Sequence, residues 1–509
     1  MLSNVRQPLH ILFLASVMLL VASDPVVSAN RTFTGPGNFS DATKWSGSSI
    51  PNAGDNLWIR GTCTFDNAAN SLAYGALDVG HTVAGTLNWP VGGTNTLNVT
   101  DVSSTNAGSA IDMTNGGTLQ IRTSWTTTNQ TFTPGTGTIT FAGTQTMPAA
   151  ISTYNNLTIN IAAGTVTFGV GTTVNGNLLI SAGTLSVGAS NFVLNAKGNF
   201  TNNAGFTQGS GTVTLNGTTA QAVGGTTSTA FNNLTISNTS ATVSANTNFS
   251  VGGTLTVNGS AVLNPAAAVV ISGSGTLTGS GTVKVTRTAA TADFASQYTI
   301  TAKTLTNLTV DYDATAAQTV NELNYFNLTV SGNRGSATVT LASGTVGISG
   351  TFTLNATNVV YATSGNTVDF NGSGAQTITA FNYNNLTVSA TRVTNNITWS
   401  SSSTIGIADV LGLTATFTSG SHITTGSTID YNGASAQSIT ATSAKFSYYH
   451  LILSNTGAKS ISSPVTATGN MTVNAGASVT VVPGVTLQVN GDIGNAGTIT
   501  NNGIINAGN

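Results

Sequence analysis

The stretch Tyr383-Asn384-Asn385-Leu386-Thr387-Val388-Ser389 is written into this chain several times over. It returns as YNNLTIN from Tyr154, FNNLTIS from Phe231, TNLTVD from Thr306, FNLTVSG from Phe326 and YHLILSN from Tyr449. A second phrase, Ala375-Gln376-Thr377-Ile378, precedes it and recurs as AQAV from Ala220, AQTV from Ala317 and AQSI from Ala436. Measured on the repeated Leu, the copies lie 77 residues apart from Leu157 to Leu234, 74 from Leu234 to Leu308, 58 from Leu328 to Leu386 and 65 from Leu386 to Leu451. Such spacings are too long for one turn of a repeat architecture and predict about three coils of roughly 20 to 25 residues per unit.

Between these phrases run short alternating segments: Gly-Thr-Ile-Thr-Phe (137 to 141), Gly-Thr-Val-Thr-Leu (211 to 215), Gly-Thr-Leu-Thr-Val (253 to 257) and Gly-Thr-Phe-Thr-Leu (350 to 354). A period of two sends the apolar set inward and the hydroxyls outward, with Gly, Asn and Ser punctuating the turns. No segment of helical length and 3.6-residue period follows residue 29, and the β-branched and glycine content expects none. Stacked antiparallel sandwiches would favour two-residue Asn-Gly hairpin signals, which are not clear here. Like residues at like positions instead favour in-register parallel stacking. The expected fold is all-β, an elongated right-handed parallel β-helix or β-solenoid of roughly 20 to 24 coils, on the order of 100 Å long.

Composition narrows the function classes. Only 6% of the 509 residues are charged, against roughly a quarter in ordinary globular proteins, while 58 are glycine. With a formal charge of -2 and no Lys/Arg cluster, the chain offers no footprint for nucleic acid or anionic membranes. Regular apolar alternation at 39% hydrophobic content argues against disorder.

Residues 1–29 carry Arg6, the apolar run Ile11 to Ala22 and then Val27-Ser28-Ala29, the pattern of a secretory signal peptide cut near Ala29. The expected location is therefore secreted or at the cell surface, with no transmembrane segment in the mature chain. A single cysteine, Cys63, rules out an intramolecular disulfide and reads as a small buried hydrophobe. Residues 30–90 are set apart by Trp45, Trp58 and Trp89 and by denser charge, as expected of an N-terminal cap covering the first coils, with residues 91–509 as the repetitive solenoid. The run from Lys44 to Asp66 resembles a glycine-rich extracellular β-domain that opens some β-helical surface proteins, through Trp45, Pro51, Gly54, Asp55, the alternating Leu57-Trp58-Ile59 and Asp66. From about residue 135 onward the repeats resemble bacterial exported β-strand-repeat proteins of the adhesin and autotransporter-passenger kind. That resemblance implies a β-helical surface protein.

Candidate sites are few. The aromatics ahead of the repeated Leu (Tyr154, Phe231, Tyr325 with Phe326, Tyr383, Tyr448 with Tyr449) are candidates for stacking sugar rings, or for stacking within the wall or core. The Asn before that Leu (Asn156, Asn233, Asn307, Asn327, Asn385) suits a turn, through left-handed backbone or a bond to the next coil, and His450 replaces it once. Asp311, Asp313 and Glu322 form the one dense acidic group; as glycoside hydrolases need paired carboxyls, they are the catalytic candidates if the chain is an enzyme, with Lys303 and Arg334 the nearest cations. Asp369 and Asp430 recur in register where related copies have Thr140 and Thr214, and read as outward strand residues. No metal ligand set and no cofactor motif stands out.

The reading that follows is a non-enzymatic structural or adhesive rod, making low-affinity multivalent contacts with extracellular glycans or neighbouring chains. Its last coil, after Met471, is expected to leave an open edge through which chains could join end to end. The alternatives are a carbohydrate-active β-helix, a polysaccharide lyase or glycoside hydrolase with its site near residues 311–334, and an ice-binding surface of outward Thr-x-Thr rows.

Overall fold

The structure, a computed structural model, describes residues 28–67, 72–289, 292–401 and 403–508. Most of the expected signal peptide, residues 1–27, lies outside them. Parallel strands stack into a β-solenoid of about 21 turns with almost no helix. One sheet of 18 strands runs from Asn30–Thr34 to Phe352–Leu354, and shorter sheets, including an eight-stranded one ending at Ala302–Lys303, complete the other sides.

Register explains why the alternation works. In one column of the 18-stranded sheet Val243, Leu263, Val283, Val310, Leu328 and Phe352 sit one above another, all buried. Each such side chain contributes about 1.5 to 3 kcal/mol on burial, and slipping the register by one residue would turn the whole column to solvent. The coil length drifts, from 18 residues (Val310 to Leu328) to 27 (Val283 to Val310). The longest coil carries a one-turn helix, Phe294–Gln297, capped by Asp293, which accepts from the Ser296 amide at 2.6 Å.

The repeated phrase does not recur after a whole number of coils. Leu157 and Leu328 lie on the 18-stranded sheet, Leu234 on the eight-stranded one, and Leu386 and Leu451 on two further sheets. What repeats is one coil, not three. In five copies an alternating strand sits directly beneath the phrase: Ile139 under Leu157, Val213 under Leu234, Val310 under Leu328, Val368 under Leu386 and Ile429 under Leu451. Spacer coils separate the copies. Thr306-Asn307-Leu308 is no copy at all, because Val310 and not Leu308 pairs with Leu328.

At the N-terminal end, Asn30–Thr34 pairs in parallel with Asn56–Arg60, and Phe33 also bridges antiparallel to Trp45. Trp45 packs edge to face on Phe33 and Phe39, with ring centres 5.2 and 4.9 Å away, and its indole donates to the Phe39 carbonyl at 2.8 Å. Trp58 faces outward and stacks on His81, the ring planes 15° apart. Trp89 lies against Gly117, where a Cβ would come 2.0 Å from the indole. Cys63 is fully buried, and burial pushes its thiol well above the ordinary value, so it packs as a hydrophobe and is a poor nucleophile.

Asp55 pins this end. Its carboxylate accepts from the Ala29 and Asn52 amides, both at 2.9 Å, and from Arg31 Nε at 3.1 Å. Burial alone would raise its pKa, but the amide bonds and the guanidinium outweigh burial and hold it below the usual 3.8. A depressed carboxyl stabilises the fold above the unfolded value and loses that contribution as pH falls through the folded one. Asp55→Asn is therefore expected to weaken residues 30–60 by about 2 kcal/mol at pH 7. Amide hydrogen exchange should show faster exchange at Leu57 and Ile59, with the difference from wild type closing below pH 3.8.

Candidate functional site

The aromatic candidates do not form a sugar platform. Tyr154, Phe231, Tyr325, Tyr383 and Tyr448 are each at most 1% exposed. The reason is the corner they precede: the inward phase of the alternation carries the ring into the core, while the Asn that follows stays at the surface. Three hydroxyls find backbone carbonyls, Tyr325 on Asn321 (3.0 Å), Tyr383 on Thr379 (2.8 Å) and Tyr448 on Thr440 (2.8 Å), and burial raises all three phenols well above their ordinary value. The second aromatics, Phe326 and Tyr449, are the ones left half-buried at the surface.

The acidic candidates separate. Asp311 and Asp313 share Lys284, and Asp311 also accepts from Ser331 Oγ at 2.7 Å. Glu322 is exposed on another corner, between the strands Gln318–Val320 and Asn324–Tyr325, with its carboxylate over Gly344. Lys303 donates to the Ile300 carbonyl and is not near the acids by any hydrogen bond or ion pair among the described residues. No three His, Cys, Asp or Glu side chains gather in a metal-holding group among the described residues.

Asp311 belongs instead to a series. It occupies the same position in its copy as Asp369 and Asp430, and each accepts from a Ser one coil on: Ser331, Ser389 at 2.8 Å and Ser454 at 2.8 Å. Burial is the main influence on all three carboxyls and raises their pKa, with the Ser hydroxyl pulling the other way. In the same three copies a cation is buried on the following coil, Arg334, Arg392 and Lys459, each at most 1% exposed. The two copies with Thr140 and Thr214 lack that cation. Acid and cation occur together, as expected where a buried charge needs a compensating one nearby.

These cations close a device built on the Ala-Gln phrase. Gln221, Gln318, Gln376 and Gln437 occupy inward positions yet are polar and buried. Each Oε1 accepts from the backbone N–H four residues earlier, Gly217 (2.8 Å), Ala314 (3.3 Å), Gly372 (3.0 Å) and Gly433 (2.8 Å). Each Nε2 donates to two carbonyls of the coil below, as Gln376 does to Ile348 (2.8 Å) and Gly350 (3.1 Å). Arg334 and Arg392 then donate to the same Oε1 atoms at 2.7 and 2.6 Å, and Asn238 fills that role for Gln221 at 3.1 Å. Lys459, stacked on Gln437, donates to the Gly433 and Gly457 carbonyls. Gln145, in the first copy, makes only long bonds of 3.4 Å and its Oε1 has no protein partner.

The Asn before the repeated Leu ties coils together from outside. Asn156, Asn233, Asn327 and Asn385 accept from an amide of the next coil at 2.9 to 3.1 Å, and His450 does the same through Nδ1 at 3.0 Å. None of these residues has left-handed backbone, so the bond to the next coil, not turn geometry, accounts for them. Outward polar pairs stack in register over four coils, Thr pairs in three of them, from Thr212 and Thr214 through Asn233 and Thr235 and Thr254 and Thr256 to Thr276 and Thr278. The array gives way to Asn195 below and to Ala302 above.

Removing the clamp should open the wall locally. Gln376→Ala leaves the Gly372 amide and the Gly350 carbonyl without this partner and takes one bond each from the Ile348 carbonyl, which keeps the Asn371 amide, and from Arg392, which keeps the Ser389 and Phe370 carbonyls. A loss of about 2 kcal/mol is expected, read as hydrogen exchange around residues 348–392, whereas Gln145→Ala should cost under about 1 kcal/mol. Asp369→Asn should act in the opposite sense, because a carboxyl raised by burial destabilises the fold above its folded pKa and not below the unfolded value. The variant is expected to melt slightly above wild type at pH 7, the gain vanishing as pH falls below 3.8. Searches with this chain gave no match to a family model, a curated protein or a solved structure.

Proposed function

We propose that the chain is an extracellular or cell-surface rod whose role is structural and adhesive. The observation that carries this reading is the use made of its few charges: Asp311, Asp369 and Asp430 and the cations Arg334, Arg392 and Lys459 serve the interior and corners of repeated coils. Their recurrence on successive copies fits a wall-building role better than a single reaction centre. Apart from scattered charges such as Lys197, Glu322 and Asp409, what remains outside is a surface of hydroxyls and amides, suited to many weak contacts with glycans or neighbouring chains. No helix among the described residues is long and apolar enough to cross a membrane.

Among the described residues, the strands Ile493–Asn495, Thr498–Asn501 and Ile504–Ala507 pair with the coil before them and with no other. End-to-end association through that edge is a part of the same proposal. Electron microscopy with light scattering on the purified protein tests both. Rods on the order of 100 Å are expected, with fibre growth if the edge is used; a compact globule or a string of beads would overturn the rod. The enzymatic reading is tested separately. Release of reducing ends or unsaturated sugars from a polysaccharide panel, abolished by Asp311→Asn, would overturn the structural role.

A further inference from the structure

The 18-stranded sheet ends at Phe352–Leu354, which pairs with Asn327–Val330 and, among the described residues, with no strand above it. In the next coil Gln376–Ile378 pairs onward with Ile397–Trp399 instead. The stack parts here, and a groove of about 1040 Å³ opens along the corner. Its lining comes from four successive coils, at Thr306, Phe326, Ser349 to Thr353, and Asn371 to Thr377 with Thr379, and includes no charged side chain. Phe352 forms an apolar floor, 5% exposed. Phe326 stands half-exposed where three other copies have Asn155, Asn232 and Asn384. The hydroxyls of Thr306, Thr353, Ser373 and Thr377 make no hydrogen bond to the protein among the described residues, although all four line the groove.

From this geometry we infer that the groove is a binding site for a neutral, linear oligosaccharide. The chemistry matches in three respects. A partly exposed phenyl ring suits the C–H face of a sugar; the uncommitted hydroxyls suit its hydroxyl groups; and the uncharged lining gives no partner to phosphate, sulfate or uronate. An extended peptide added to the open strand fits less well, since that strand is only three residues long and the Phe352 carbonyl already accepts from Thr379 Oγ1 at 2.6 Å. The inference rests on the adhesive reading above and gives it one defined site.

Two variants test it. Phe326→Ala removes the ring, and Gly374→Leu places bulk in the groove at a position where a Cβ meets nothing within 4 Å. Unchanged melting of Gly374→Leu provides the folding control. Isothermal titration of the full chain with cellohexaose, mannohexaose, maltohexaose and chitohexaose is expected to find at least one ligand, weakened about tenfold in each variant. Hexagalacturonate is expected not to compete. Binding that both variants leave intact would overturn the groove while sparing the adhesive rod, which microscopy reads independently. Failure of all four neutral sugars, or preference for hexagalacturonate or for an extended Thr/Val octapeptide, would also overturn this site.

Discussion

A solenoid must satisfy the backbone at its corners, where the ladder of one sheet stops before the next begins. Buried amides and carbonyls there cost free energy unless paired. This chain has few charges with which to pair them, and it meets the need with amide side chains. The buried Gln accepts from its own coil and donates to the coil beneath, while the Asn at the other corner accepts from the coil above. The copies that carry the phrase are thus fastened in both directions by residues that stay neutral at any pH. Because coils bond mainly to their neighbours, with a few side chains such as Asn371 on Asn324 reaching two coils, stability adds up locally along the rod, and these fastenings set where it is strong and where it can open.

The charged residues follow from the same constraint. A guanidinium buried against Gln318 or Gln376 strengthens the clamp but brings an unbalanced charge into the wall. Asp311 and Asp369 lie close enough to influence those cations, and in turn are pushed up by burial and steadied by a Ser. A carboxylate with a raised pKa in a wall of this kind is a by-product of balancing charge. Read without its repeat partners, Asp311 looks like a catalytic acid; read with Asp369 and Asp430, it looks like masonry.

Much of the fold was legible because alternation and recurrence are direct consequences of stacking. Gly-Thr-Val-Thr-Leu at 211 to 215 states its own inward and outward faces, and the structure places Val213 and Leu215 in the core. The spacing of about three coils per copy is legible in the sequence, but the side on which each copy falls is not, because coil length varies between 18 and 27 residues and moves the repeated phrase from sheet to sheet. Phe326 and Tyr325 are neighbours of like chemistry, and only the corner between them decides which one meets solvent. The Gln clamp was visible as a phrase without a role. Its signal was a polar residue on the apolar phase of the alternation, followed by Arg334 or Arg392 sixteen residues later, a co-occurrence that gains meaning once both are seen to share one oxygen.

The migration of the repeated coil among sheets has a consequence for anything that gathers around the rod. Copies that stayed on one side would give the molecule a single face and let neighbours pack as a flat raft. Leu157 and Leu234 instead mark copies that look out in different directions. Partners engaging successive copies would be held on several sides at once, and an array of such rods would grow as a three-dimensional mesh.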